Sequence, residues 1–163
     1  MGIVLTRIDD RLIHGQVVEG WLKNINIDHI AIISNEVAAD KMQQVLFSIA
    51  VPKSIKVSSL GVAEAVVKAS EGYFDKNNFL LLLSTPQDVL KLVEGGLKIN
   101  SVNVGGMHYT PGKKQILKAL SVDESDIAAL MAIHKAGVKL EGRVLPGDEM
   151  IDIVEVIAKE EAL

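Results

Sequence analysis

The chain has 163 residues, enough for one domain that buries about 70% of the surface its unfolded form exposes. Its formal net charge is −4, with 17 basic and 21 acidic residues spread along the sequence, which excludes a nucleic-acid footprint and a membrane-binding basic patch. With no cysteine there are no disulfides, thiolate nucleophiles or zinc knuckles, and the composition suits a reducing cytoplasm.

The opening apolar run, Ile3-Val4-Leu5, is too short for a signal peptide. It continues through Thr6 as a strand, which argues against myristoylation at Gly2. No stretch approaches the roughly 18 apolar residues of a membrane span, so a soluble intracellular protein is expected. In chain order the pattern predicts a strand over 3–8, a helix over 15–23, a strand over 29–34 and a helix over 38–50. A strand over 55–58, a helix over 61–70, a strand over 79–84 and a helix over 86–94 follow. Strands over 101–105 and 138–141 enclose a helix over 124–136, and a helix over 148–160 closes the chain. The segment 115–122, Leu- and Ile-bearing but broken by Lys118, reads as an extra edge strand.

Local chemistry supports these boundaries. Pro86 falls in the first turn of its helix with Thr85 as N-cap, and Ser121 or Asp123 can cap the helix that begins at 124. Gly95-Gly96 and Gly137 sit at helix ends. The runs Ile30-Ala31-Ile32-Ile33 and Phe79-Leu80-Leu81-Leu82-Leu83 are uninterrupted, as parallel strands buried on both faces require. With right-handed crossovers the alternation gives one domain, 1–163: a three-layer α/β/α sandwich around a mostly parallel sheet of six or seven strands. Forward strands then end on one face, where the loops bearing Asp9 to Gly15, Ser34 to Glu36, Ser84 to Pro86 and Gly105 to His108 collect into a crevice.

Common phosphate binders are absent. No Gly-x-Gly-x-x-Gly follows the first strand, and there is no Gly-x-Ser-x-Gly elbow or His-Glu-x-x-His pair. The stretch from Gly106 to Lys114 superficially resembles a P-loop, but five residues rather than four separate Gly106 from Gly112, and Lys114 replaces the magnesium-binding hydroxyl.

The segment Arg7-Ile8-Asp9-Asp10-Arg11-Leu12-Ile13-His14-Gly15-Gln16, directly behind the first strand, concentrates the chemistry. His14 supplies a nucleophilic neutral imidazole, and Arg11 stands three residues before it, near enough to sit beside an oxyanion on the ring. Phosphoryl transfer spreads charge over three oxygens, so a guanidinium and a helix N-terminus at Gly15-Gln16 supply much of what it needs. Asp9 or Asp10 is placed to orient the imidazole or the arginine. The plain alternative is a solvated loop in which Asp10 pairs with Arg11 and His14 merely opens a helix. Two functional rivals use the same crevice: a noncovalent small-molecule-binding regulatory module, and a hydrolase with His14 as general base.

This loop closely resembles the phosphorylation loop of the enzyme IIB component of the mannose/fructose/sorbose class of the bacterial sugar phosphotransferase system. The resemblance extends to Val102-Asn103-Val104-Gly105-Gly106-Met107 and to the segment from Lys139 to Pro146. It implies a phosphocarrier in which His14 takes a phosphoryl group at Nδ1 from a histidine of a IIA partner and passes it to a sugar entering through membrane IIC and IID components. It implies that Arg11 stabilises charge and that the fourth and fifth strands flank the first, so that Ser84, Thr85, Gly105, Gly106 and Met107 border the crevice. Neither a cofactor nor a metal is implied, and the absence of cysteine agrees with the histidine-bearing class. The sugar is left to the membrane components. A carrier without its own transporter would serve regulation.

Of the other histidines, His29 opens the second strand on the far side of the sheet as a structural or solvated residue, and His134 is an ordinary helix residue. His108 belongs to a loop expected near His14, though its spacing supports no metal site with His14. Trp21 and Leu22 read as helix packing. Leu12 and Ile13 are expected to be partly exposed, forming with Met107 and His108 an apolar rim where a transient partner docks. The plain alternative is that they anchor the loop to the sheet.

Overall fold

The structure, a computed structural model, describes residues 2–162. Its strands are β1 Gly2–Asp9, β2 His29–Ile33, β3 Lys56–Leu60, β4 Asn78–Leu83, β5 Ser101–Gly106, β6 Lys114–Leu117, β7 Leu120–Val122, β8 Lys139–Gly142 and β9 Ile151–Asp152. Its helices are α1 Asn35–Ala38, α2 Lys41–Ile49, α3 Val62–Ser70, α4 Pro86–Glu94, α5 Glu124–Lys135 and α6 Ile153–Glu161. A π-helical segment, Gln16–Trp21, follows β1, and a short 3-10 turn spans Tyr73–Asp75.

The main sheet has seven strands in the order β3-β2-β4-β1-β5-β8-β9, parallel except for the short β9 at its edge. The reason for burial on both faces lies in the period of two along each strand. In β4, Phe79, Leu81 and Leu83 face a core shared with Val62 and Ala65 of α3, Val89 and Leu92 of α4, Leu130 and Ile133 of α5, and Ile153 of α6. Leu80 and Leu82 face the other way, against Ile30, Ile32, Val17 and Val37. The expected three-layer α/β/α sandwich follows, with β4 and β5 flanking β1. Thr85, Asp123 and Asp152 accept from backbone N–H groups at the starts of α4, α5 and α6, each satisfying helix donors that have no partner in the first turn.

Four segments depart from the sequence reading. The helix expected over 38–50 starts only at Lys41, because Asp40 turns its carboxylate onto the Gln43 N–H and caps α2 after a separate short helix, α1, has ended. The helix expected over 15–23 is the shorter, wider π-helical segment. The expected edge strand over 115–122 folds back between Leu117 and Leu120 into an antiparallel hairpin of its own. That hairpin is tied to the end of β5 by Met107 N–H to Ala119 O at 2.9 Å and Ser121 N–H to Met107 O at 2.8 Å. At the C-terminus, Ile151 and Asp152 pair with β8 before α6 begins, so the expected helix start at 148 moves to 153.

Registry across three neighbouring strands places the polar groups beneath the crevice. Arg7 of β1 lies abreast of Asn103 of β5, which lies abreast of Glu141 of β8. The β1–β5 register then shifts between Ile8 and Asp9, bringing Asp9 opposite Gly106 at the strand ends.

Candidate functional site

Beneath the loop after β1 runs a buried row of charged and polar side chains. Arg7 is fully buried and donates to Asp9 Oδ2 at 2.9 Å, to Asn103 Oδ1 at 2.5 Å and to the Arg143 carbonyl at 3.1 Å. Asn103 in turn donates to Glu141 Oε1, and Arg143 clamps Glu141 through two bonds of 3.0 Å. The Arg7 and Arg143 guanidiniums both lie against the Trp21 indole, at 5.4 and 5.2 Å from its centre, while Trp21 donates its Nε1–H to Val144 O. Burial pushes the Arg7 guanidinium below its ordinary value against the opposing pull of Asp9 and Glu141, and hydrogen bonding to Glu141 raises that of Arg143.

Gly105 belongs to this row by necessity. A Cβ there would overlap the Arg7 guanidinium, so the small residue lets the cation reach Asp9 and Asn103. A Cβ on Gly106 would come 3.3 Å from Asp9 Oδ1. Both glycines therefore make room for the charged row, and both border the crevice at the strand ends.

Asp9, 2% exposed, connects the row to His14. Its Oδ2 accepts from His14 Nε2 at 2.7 Å, and its Oδ1 accepts the Arg11 backbone N–H at 3.1 Å. An ionised carboxylate only accepts, so the proton of His14 sits on Nε2 and the lone pair of the neutral ring sits on Nδ1. Of the two aspartates, Asp9 orients the imidazole. Asp10 instead binds His108, whose Nδ1 lies 2.5 Å from Asp10 Oδ1 and whose backbone N–H donates to Asp10 Oδ2 at 2.6 Å. Arg11 Nε donates to His108 Nε2 at 3.2 Å. The expected proximity of the His108 loop to the loop after β1 is thus present, while the Asp10–Arg11 pair of the plain alternative is not found among the described residues.

Beyond His14, the backbone N–H groups of Gly15 and Gln16 have no protein acceptor among the described residues, and both residues are exposed. A cavity of about 660 Å³ opens beside them, lined by Asp9, Arg11, Gln16, Gly106, His108 and Tyr109 with part of the β6–β7 hairpin. His14 is not on its lining; its side chain is 13% exposed beside Asp9, which is. Ser84 and Thr85, expected to border this crevice, do not line it: Thr85 is occupied in capping α4, accepting from Asp88 N–H. Among the described residues no group of three metal-ligating side chains comes together.

The expected exposure of Leu12 and Ile13 is not found. At 5% and 6% they pack with Val17, Ile32 and Leu82 in the core beneath the loop, and Met107 is 3% exposed. The reason is the tight turn closed by Leu12 N–H to Asp9 O, which sends both aliphatic side chains down onto the sheet. Of the rim proposed from sequence only His108 is exposed, joined by Tyr109 at 65%. The Arg7–Asn103–Glu141–Arg143 row and Trp21 went unread as site components. An arginine alternating with Leu5 and Asp9 along a strand was the signal for Arg7, but its partners lie 96 and 136 residues away.

A parallel α/β sheet with a tautomer-fixed histidine at the end of its central strand, next to unpaired backbone donors, defines a protein equipped for nucleophilic chemistry on an anionic group. Residues 3–163 match the family model described as PTS system sorbose subfamily IIB component. The sorbose-specific EIIB component of Lacticaseibacillus casei is 40% identical over 98% of this chain and 100% of that protein. The mannose-specific EIIAB component of Escherichia coli K12 is 41% identical over 98% of this chain, which spans 49% of its length. The crystal structure of the IIBSor domain of the sorbose permease from Klebsiella pneumoniae superimposes with a TM-score of 0.92 at 39% identity, over 98% of both chains. The chain belongs to the sorbose subfamily of IIB components of the phosphotransferase system, a family of sugar-specific phosphotransferases.

Proposed function

We propose that this chain is a phosphocarrier in which His14 Nδ1 takes a phosphoryl group from a histidine of a IIA partner and passes it to a sugar entering through membrane IIC and IID components. The reading rests above all on the 2.7 Å bond between His14 Nε2 and Asp9 Oδ2, which leaves Nδ1 as the nucleophile. As the Nδ1–P bond forms, the bond from phosphorus to the donor imidazole breaks, and that ring, protonated on its other nitrogen, departs neutral. Positive charge then develops on His14, and the Asp9 carboxylate, held by Arg7, stabilises it through the Nε2 proton. A cationic N-phosphorylated ring is in turn a good leaving group, which suits onward transfer. Arg11 and the free N–H groups of Gly15 and Gln16 are the donors available to the phosphoryl oxygens.

The partner approaches the ends of β1 and β5, and the exposed Arg11, His108 and Tyr109, rather than Leu12, Ile13 and Met107, meet it. A carrier that hands on its group needs a small interface that dissociates quickly. The carrier works in the cytoplasm and meets the permease transiently. EIIAB names a relative in which IIA and IIB share one chain, which supports a IIA donor here.

Mass spectrometry after incubation with a phosphorylated sorbose-class IIA protein tests the reading. One acid-labile phosphate is expected, lost in His14→Ala; labelling that persists in that variant, or maps to His108 in the native protein, contradicts it. Arg11→Ala is expected to slow transfer on the order of a hundredfold. Lysine restores only part of the rate, because it keeps the charge and loses the planar fork. Unchanged transfer in Arg11→Ala at saturating donor would remove the arginine from the reaction.

A further inference from the structure

Arg11 is exposed and lies on the loop after β1, so nothing in the core fixes its long side chain. Its one side-chain hydrogen bond among the described residues runs from Nε to His108 Nε2, and neither terminal nitrogen has a partner. An exposed contact of this kind adds little to stability. Its physical consequence is orientation: with Nε anchored, the paired terminal N–H groups remain for bidentate contact with an oxyanion.

His108 can hold Arg11 only in one protonation form. A ring nitrogen accepts from a guanidinium only through its lone pair, so Nε2 of His108 is unprotonated and the ring proton is on Nδ1. Asp10 enforces that form, since Oδ1 receives the Nδ1 proton while Oδ2 receives the His108 backbone N–H. Asp10 is itself tied to the end of β5 by its N–H to Gly106 O at 3.1 Å. The chain of donors therefore runs from Arg11 to His108 to Asp10, parallel to but separate from the pair of His14 and Asp9.

We infer that His108 is a positioning residue for phosphoryl transfer: through a tautomer fixed by Asp10, it aims the Arg11 guanidinium. The inference rests on the phosphocarrier reading, within which it gives His108 a task distinct from docking. Position 108 lies just past the end of β5 and meets Arg11 only after β1 and β5 have paired.

Single-turnover transfer from a phosphorylated sorbose-class IIA protein to the full chain tests it, with two replacements that divide the two contacts of the ring. His108→Gln keeps an acceptor at the reach of Nε2 and is expected to retain the rate within about threefold. His108→Asn reaches Asp10 but not Arg11 and is expected to slow transfer about tenfold, in the range of a lost hydrogen bond to a charged group. The loss appears in the rate at saturating donor, over and above any change in KM from the contact His108 makes with the docked donor. In an Arg11→Ala background, His108→Asn causes no further loss. Multiplicative losses in the double variant, or an effect confined to KM, overturn the inference and make His108 a docking residue. If the native protein accepts no phosphate, the carrier reading fails instead. The Arg11 Nε–H resonance then still decides the geometry: the inference requires it to be resolved in the native protein and His108→Gln and exchange-broadened in His108→Asn, and the same resonance in all three overturns it.

Discussion

Leu12 is the one residue other than glycine with a positive φ among the described residues, at 60°. For an L-residue this left-handed conformation costs about 1–2 kcal/mol, because Cβ crowds the following carbonyl. What holds it there is the side chain, buried at 5% exposure, and the turn that brings Asp9 and His14 together above it. Reading the residues as an exposed rim was reasonable from charge alone, since Asp10, Arg11 and His14 surround them; the turn that inverts them is not visible in composition. The two effects separate by substitution. Leu12→Ala loses the packing, at about 2–5 kcal/mol, and keeps the strained backbone. Leu12→Gly loses the same packing but relieves the backbone, so it is expected to be more stable than Leu12→Ala by about 1 kcal/mol in denaturant melts. An alanine variant more stable than the glycine variant would show that the turn has no such conformation in solution.

Among the elements, β1, β5 and β8 act together. Their registry carries Arg7, Asn103 and Glu141 side by side, and the site depends on that row because Arg7 and His14 share the same oxygen of Asp9. Gly105→Ala drives a methyl group into the Arg7 guanidinium. It is expected to cost about 1–3 kcal/mol, as overpacking does, and to slow phosphorylation of His14 by displacing Asp9. Gly106→Ala, meeting Asp9 at 3.3 Å, is expected to cost less. Equal melting of Gly105→Ala and the native protein would contradict the packing account. How much was legible follows the same division between local and distant. The apolar runs of β2 and β4 and the Thr85 cap are local patterns, and each is present as read, whereas the loop around His14 is local in sequence but turns Leu12 and Ile13 inward. Asp40 is equally local, but a capping aspartate and a mid-helix aspartate look alike until the chain has turned. The charged row depends on pairing between distant strands, which no local pattern contains.

Across the whole molecule, the C-terminal ends of the strands carry His14 and the opposite end carries His29. His29, at the start of β2, stacks on Phe79 at 4.5 Å and bonds Ser58 Oγ at 3.0 Å. Burial, with a smaller push from Lys56 and against the pull of Asp28, lowers its proton affinity below the ordinary histidine value. A base depressed in this way favours folding above its unfolded value, and that stability is lost as pH falls through the lower folded value. Melting temperature is therefore expected to fall from about pH 7.5 to about pH 5 by less in His29→Gln than in the native protein. Parallel pH curves would assign the acid sensitivity to other groups. At the other end of the strands, Asp9 engages Nε2 of His14, which in the proposed phosphocarrier leaves Nδ1 as the acceptor. Long-range ¹⁵N–¹H spectra of the protein before and after phosphorylation by a IIA donor read both nitrogens of His14 directly. A proton on Nε2 and a free lone pair on Nδ1 are expected in the resting protein, and phosphorus on Nδ1 afterwards; phosphorus on Nε2, or a proton on Nδ1 at rest, would overturn the assignment of Nδ1.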